Sequence, residues 1–215
     1  MRLLQSIVNK RIAFGLARAA SVVGASQALY RPVSANQPVS GTPYGSIYCA
    51  FDVTADFRMI STAQPNHGYA ALLADPSLVR QGDYLVGDDT HFIARVEPLR
   101  AALCVLCDQT LDVLNTAVAT SAGTNAYGGR TADTDTIVAQ GWPVSMTART
   151  RGGQDTTKLP SDTKAAYYDV LFPPIPGITL VFGMRLQDSA GQDYDIVSAE
   201  LSPFGWRLLA GLTTT

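Results

Sequence analysis

From Ser46 onward, short apolar stretches are interrupted by Gly-, Pro- or Asp-containing turns at intervals of about 8–12 residues, the punctuation of a β-sandwich or small β-barrel. In Ser46–Val53 (SIYCAFDV), Ile47, Cys49 and Phe51 share one face, as in a half-buried strand. Asp83–Val86 and His91–Val96 flank the turn Gly87-Asp88-Asp89-Thr90 and predict a hairpin. Residues 101–107, 110–114, 137–149, 166–172, 179–186, 193–200 and 206–209 read as further strands. Asp188-Ser189-Ala190-Gly191 is a turn whose glycine stands where a positive φ is needed. Residues 64–81 read as loop with a short helical turn around Ala70–Ala74, and 116–136 and 150–164 as long loops.

The first residues follow a different period. Leu3, Leu4, Ile7, Val8, Ile12, Leu16, Ala19, Ala20 and Val23 recur at helical steps, which predicts an amphipathic helix within residues 1–29. Gly24 is the natural stop, and Pro32 forbids continuation. Residues 30–45 (YRPVSANQPVSGTPYG) read as a linker arm, and 46–215 as a β-rich body. The composition of Met1–Ala28 also fits a mitochondrial transit peptide, but Lys10, Arg11 and Arg18 break up any secretory apolar core. No stretch approaches the roughly 20 apolar residues that cross a bilayer, so no membrane partner is expected.

Only 16% of the 215 residues are charged, against 47% hydrophobic. A surface so poor in ions suits burial between subunits, because few charges need desolvating. The net charge of −2 is uneven. Arg2, Lys10, Arg11, Arg18 and Arg31 all precede the first acidic residue, Asp52, so a +5 arm leads a body of −7. Such an arm docks on something acidic: nucleic acid, a neighbour's body or its own. Candidate interaction residues are Arg11, Arg18 and Arg31 in the arm, with Arg130 and Arg151 at the tips of the two Gly-containing loops.

An internal echo runs through the body. Residues 85–97 (LVGDDTHFIARVE) resemble residues 186–200 (LQDSAGQDYDIVSAE): strand, acidic turn, aromatic-led strand, then Glu. The echo implies two related β units, 46–115 and 137–215.

Reactive groups are sparse. His67 and His91 have no recognisable nucleophile motif beside them. Cys104-Val105-Leu106-Cys107 has CxxC spacing, but residues three apart on a strand point to opposite faces, so these read as core thiols. An odd count of three cysteines argues against a secreted disulfide scaffold. Asp88-Asp89 and Asp133-Thr134-Asp135 lack the closing Glu of a calcium loop. Gly128-Gly129-Arg130 and Arg151-Gly152-Gly153 lack the Lys-Ser/Thr of a phosphate loop. The reading is therefore a non-enzyme with no catalytic, cofactor-binding or metal-binding residues.

The C-terminal unit, Gly183-Met184-Arg185-Leu186-Gln187-Asp188 through Gly191-Gln192-Asp193-Tyr194-Asp195-Ile196 to Ala199-Glu200 and Gly205-Trp206-Arg207-Leu208, resembles tailed-bacteriophage neck proteins of the head-closure and head–tail connector type. Gly82–Val86 with Phe92–Ala94, and Phe14–Ala20 with Tyr30–Pro32, are similar to segments of phage morphogenesis proteins. The resemblance implies a virion structural protein, assembled in the host cytoplasm. It would form a homo-oligomeric ring that joins the portal to other neck or tail proteins while DNA passes without sequence-specific binding. Its length, N-terminal arm and second β unit set it apart from the simplest members. Rival readings are a capsid-decorating or tail-tube protein, and a carbohydrate-binding or hydrolytic β-domain using Trp142, Tyr167, Tyr168 and Trp206.

Overall fold

The computed structural model describes residues 2–52, 68–118, 133–149 and 166–213. The first residues form α1 (Arg2–Val23), and the chain turns at once into β1 (Ala25–Tyr30). Gly24 makes this corner. Its N–H closes on the Ala20 carbonyl at 2.8 Å, and a Cβ there would lie 2.5 Å from the carbonyl oxygens of both Ala20 and Cys49. The helix ends at Val23, just before the stop expected at Gly24, and Ala25–Tyr30, the rest of the 1–29 segment, pairs as a strand. Its alanines suit a helix locally, but burial of Leu29 in a barrel decides the matter.

Ten further strands complete the main-chain pattern up to the last one. These are β2 (Gly45–Asp52), β3 (Tyr69–Leu73), β4 (Tyr84–Val86), β5 (Thr90–Arg95), β6 (Ala102–Leu106), β7 (Gln109–Val118), β8 (Asp133–Ala148), β9 (Tyr167–Phe172), β10 (Arg185–Asp188) and β11 (Asp193–Ser202). The final strand is β12 (Gly205–Leu212). They close into two barrels, in the orders β1-β2-β3-β6-β5-β4 and β7-β8-β9-β12-β11-β10, every neighbouring pair antiparallel. Numbered from its own first strand, each barrel reads 1-2-3-6-5-4. The second barrel therefore repeats the topology of the first.

The repeat extends to details. Gly82 and Gly183 both have φ +85°, and each precedes the fourth strand of its barrel. Gly82 N–H donates to the Ile93 carbonyl and Ile93 N–H to the Asp83 carbonyl; Gly183, Ile196 and Met184 make the same pair of bonds. Upstream, Leu78 N–H bonds Asp75 O and Ile178 N–H bonds Ile175 O, with Pro76 and Pro176 in the same place in each turn. Val79, Leu85 and Ile93 in the first barrel match Leu180, Leu186 and Ile196 in the second, and all six are buried. The sequence echo between 85–97 and 186–200 thus falls on equivalent hairpins, β4–β5 and β10–β11. The unit boundaries differ from those expected: the barrels span 25–106 and 109–212.

Four local expectations change. Residues 69–73 form a strand where a helical turn was expected; its Ala-Ala-Leu-Leu is buried on both sides and shows no alternation. The strand expected over 179–186 begins only at Arg185, because the preceding residues make the Val181–Met184 turn. Asp133-Thr134-Asp135 begins β8 rather than lying in a loop. The loop expected over 116–136 is shorter, since β7 runs to Val118 and β8 starts at Asp133.

Alternation places Leu85, Ile93, Ala102 and Cys104 inside the first barrel with Leu29, Ile47, Cys49 and Leu72. The intervening residues Tyr84, Phe92, Ala94, Leu103 and Val105 point outward, yet they too are buried, in the core that also fills the second barrel. Strands β4–β6 are therefore covered on both faces. Trp142 anchors this junction: it is fully buried, 6.2 Å from the Tyr84 ring, and its indole N–H donates to Ala35 O at 2.6 Å.

Candidate interaction surfaces

The linker arm, residues 30–45, includes a strap laid over the chain's own second barrel. Gln37 N–H donates to Gln140 O, Gln140 N–H donates to Ala35 O, and Asn36 bridges Gln140 in parallel. At its start, the Arg31 guanidinium grips both carboxylate oxygens of Asp83 at 2.7 and 2.9 Å and donates to Leu78 O. The Tyr44 ring lies 4.1 Å beneath it. Hydrogen bonding to Asp83, partly opposed by burial, holds Arg31 above its ordinary pKa. Of the candidate interaction residues, Arg31 is thus satisfied within its own chain, which is the option of docking on its own acidic body. Arg11 and Arg18 are exposed on α1, whereas Arg130 and Arg151 lie outside the described residues, as does His67.

α1 packs on β2 and β3. Ile12, Ala13, Leu16 and Ala20 face the barrel at helical steps, with Ala20 fully buried. The outer side is not purely polar as expected of an amphipathic helix: Ile7, Val8, Val22 and Val23 are exposed, and Phe14 is 75% exposed. Beside the helix runs a groove of about 380 Å³, lined by Ile12, Ala13, Pro76, Val96, Pro98 and Leu99 among others. Leu99 stands at its rim with φ +65°. Asn9 Oδ1, on the same wall, is buried without a hydrogen-bond partner.

The second barrel offers a mixed outer surface. Tyr84, Phe92 and Ala94, which make the inter-barrel contact, correspond in the repeat to Arg185, Asp195 and Val197. Arg185 is surrounded by Asp135 at 2.8 Å, Asp195 at 3.2 Å and Asp193 at 4.0 Å. Burial works against its charge, but hydrogen bonding to Asp195 and the neighbouring carboxylates raise its pKa. Nearby on the chain, the Val181–Met184 turn carries Phe182, 77% exposed. A smaller polar notch of about 160 Å³ is bordered by Arg149, Asp169, Glu200 and Arg207.

The groups that could do chemistry are held elsewhere. His91 stacks face to face on Phe51, centroids 3.8 Å apart, with Nδ1 buried and unpartnered. Burial lowers its pKa, against a smaller opposing effect of Asp89. Burial pushes the Cys49 thiol up to about 11 and Cys104 to about 12, and drives Cys107 higher still. The two thiols of the CxxC spacing do diverge: Cys104 sits in the first barrel's core and Cys107 against the core shared with the second. Of the aromatics considered for ligand binding, Trp142 and Trp206 are buried, and Tyr167 and Tyr168 are partly so. Among the described residues, no three His, Cys, Asp or Glu side chains are placed to hold one metal ion. Among those residues too, no helix is long and apolar enough to cross a membrane.

No family model matches the chain, and no curated protein or solved structure is significantly similar to it. Phe14, Leu99 and Phe182 escaped the sequence reading. Each is a lone apolar residue in a helix or turn, and only the missing burial marks it. For Phe182, the signal was available in the repeat: Val181-Phe182-Gly183 stands where Arg80-Gln81-Gly82 stands in the first unit.

Proposed function

We propose that this chain is a non-enzymatic virion structural protein, a ring component of the phage neck that joins portal and tail through subunit contacts. The observation that carries this reading is the placement of uncovered apolar side chains. Phe14, Ile7 and Val8 stand on the helix, and Phe182 and Val181 on the turn before β10. Exposed aromatics rimmed by neutral and polar residues fit protein contact surfaces. Among the described residues, His91, Cys49 and Cys104 are buried, where they suit packing. The low charge of the whole chain and the resemblance of the C-terminal unit to neck proteins favour the same reading. In that setting the acidic body would leave passing DNA unbound.

Immunogold labelling of virions carrying the tagged chain tests the proposal. Label confined to the single head–tail vertex supports a neck component. Label spread over the capsid or along the tail selects the decorating or tail-tube reading instead, and absence of label from intact particles removes the virion reading.

A further inference from the structure

The contact between the two barrels supplies a template. In it, the Arg80–Asp83 turn of the first barrel lies against two loops of the second, with its tip Gln81 exposed. Gln81 Nε2 donates to Pro203 O at 2.9 Å in the β11–β12 turn, and a Cβ on Gly82 would meet Pro174 of the β9–β10 connection at 3.8 Å. Arg95 lies over the Phe204 ring at 5.2 Å.

Each half of this contact has an open counterpart. The turn Val181–Met184 matches the Arg80–Asp83 turn in φ and hydrogen bonding, but its tip is Phe182 in place of Gln81. The region between Pro174–Pro176 and Pro203–Phe204 corresponds, in the first barrel, to the space between Pro76–Ser77 and Pro98–Leu99. That space is the groove beside α1. The Gln81 tip inside the chain is polar and meets a carbonyl oxygen. The free tip is apolar, and the free groove has a mainly apolar accessible lining from Ile12, Ala13, Val96, Pro98 and Leu99, with Lys10, Glu97 and Arg100 also lining it. An apolar tip suits such a groove.

The rest of the inter-barrel face is not available for repetition. On the first barrel α1 covers β2 and β3, whereas β8, the counterpart of β2, receives β5 and β6. On the second barrel Arg185 and its carboxylates occupy the positions of Tyr84 and Phe92. Among the described residues of that face, the tip and the groove stay uncovered.

We infer that the Val181–Phe182 turn of one copy docks in the α1–Pro76–Leu99 groove of the next, head to tail. The two patches differ, so the contact is heterologous, and repetition closes into a ring or runs on as a filament. This inference deepens the neck proposal by naming its subunit contact, and depends on that proposal only for closure into a ring.

Sedimentation velocity on the full chain and two variants provides the test. Phe182→Asp removes the tip and leaves the groove; Leu99→Asp spoils the groove and leaves the tip. Both positions are exposed, and Asp tolerates the positive φ of Leu99. The wild type is expected to associate with rising concentration, and each variant alone to associate about tenfold or more weakly. The equimolar mixture should form a one-to-one dimer and nothing larger, since it holds one intact tip and one intact groove per pair. Variants that assemble like the wild type, a mixture that stays monomeric, or a wild type that remains monomeric at every concentration would each overturn the inference. If the wild type assembles and label marks the neck, but both variants assemble equally well, the contact is wrong and the neck proposal stands. If the mixture dimerises but label is absent from virions, the contact stands and the neck proposal fails.

Discussion

The Tyr84 hydroxyl donates to the Pro143 carbonyl oxygen at 2.8 Å, tying β4 of the first barrel to β8 of the second. Tyr84 is wholly buried, and burial drives its phenol well above the ordinary pKa, so it remains a donor at any pH the fold survives. Tyr84→Phe keeps the ring against Trp142 and removes only this bond. A loss of about 1–2 kcal/mol is expected, because the Pro143 carbonyl is left without its partner. Urea unfolding of the two proteins, compared at equal slope, measures it.

Arg31 and Asp83 invite a sharper test. Asp83 is nearly inaccessible and also accepts the Arg80 N–H at 2.8 Å, so removing the guanidinium strands a buried carboxylate. Arg31→Met should cost on the order of 3 kcal/mol, and Arg31→Met with Asp83→Asn should recover part of it. A melting curve for each single and the double variant checks the coupling. A double-variant loss equal to the sum of the two single losses would show that the pair is not coupled.

Acid should weaken the first barrel through His91. Its folded pKa lies below the ordinary 6.5, so the unfolded chain takes up the proton first as pH falls. Stability contributed by the neutral ring is complete above about pH 6.5, declines below it, and levels off once pH passes the folded value. The melting temperature of the wild type should therefore drop more between pH 7 and pH 5 than that of His91→Gln, which retains the acidic groups common to both. Parallel curves would remove His91 as the cause.

Thiol chemistry reports on the two cores. With Cys49 near 11 and Cys104 near 12, thiolate is scarce at pH 8, and both side chains are sealed in the barrel. Native protein should take up iodoacetamide at neither position over hours, whereas urea-unfolded protein labels all three cysteines. Peptide mass spectrometry distinguishes the sites.

Gly24→Ala is expected to be one of the costliest small changes in the chain. The added methyl meets two backbone oxygens at 2.5 Å, neither of which is the end of a flexible side chain. A loss of roughly 1–3 kcal/mol follows from such overpacking, with α1 loosened from β2. Limited proteolysis at Arg11 and Arg18 gives the readout: faster cleavage in the variant than in the wild type.

What the sequence made legible was local. Asp188 and Gly191 announce their hairpin because a carboxylate that accepts the Ala190 and Gln192 N–H groups and a glycine at φ +79° are a chemical solution to one turn. The echo between the two units was readable for the same reason. Long-range closure was not. β1 joins the first barrel by pairing Leu29 with Leu85 and Gln27 with Ile47, partners that nothing in Ala25–Tyr30 names. β3 escaped alternation because both of its faces are covered. The contact surfaces were the least visible, since Phe182 and Leu99 differ from core residues only in what fails to cover them.

The joint between the barrels is two residues long, Cys107 and Asp108, and neither is slack. Cys107 N–H is bound to Thr90 O, Asp108 N–H to Val144 O, and the Asp108 carboxylate takes the Met146 N–H at 2.7 Å. A pull on the helix end therefore passes from β6 to β7 through a hydrogen-bonded joint, with no slack coil between the barrels to extend first. Such a joint makes the tandem a tension member: it should unfold under load in a single rip rather than lengthen one barrel at a time.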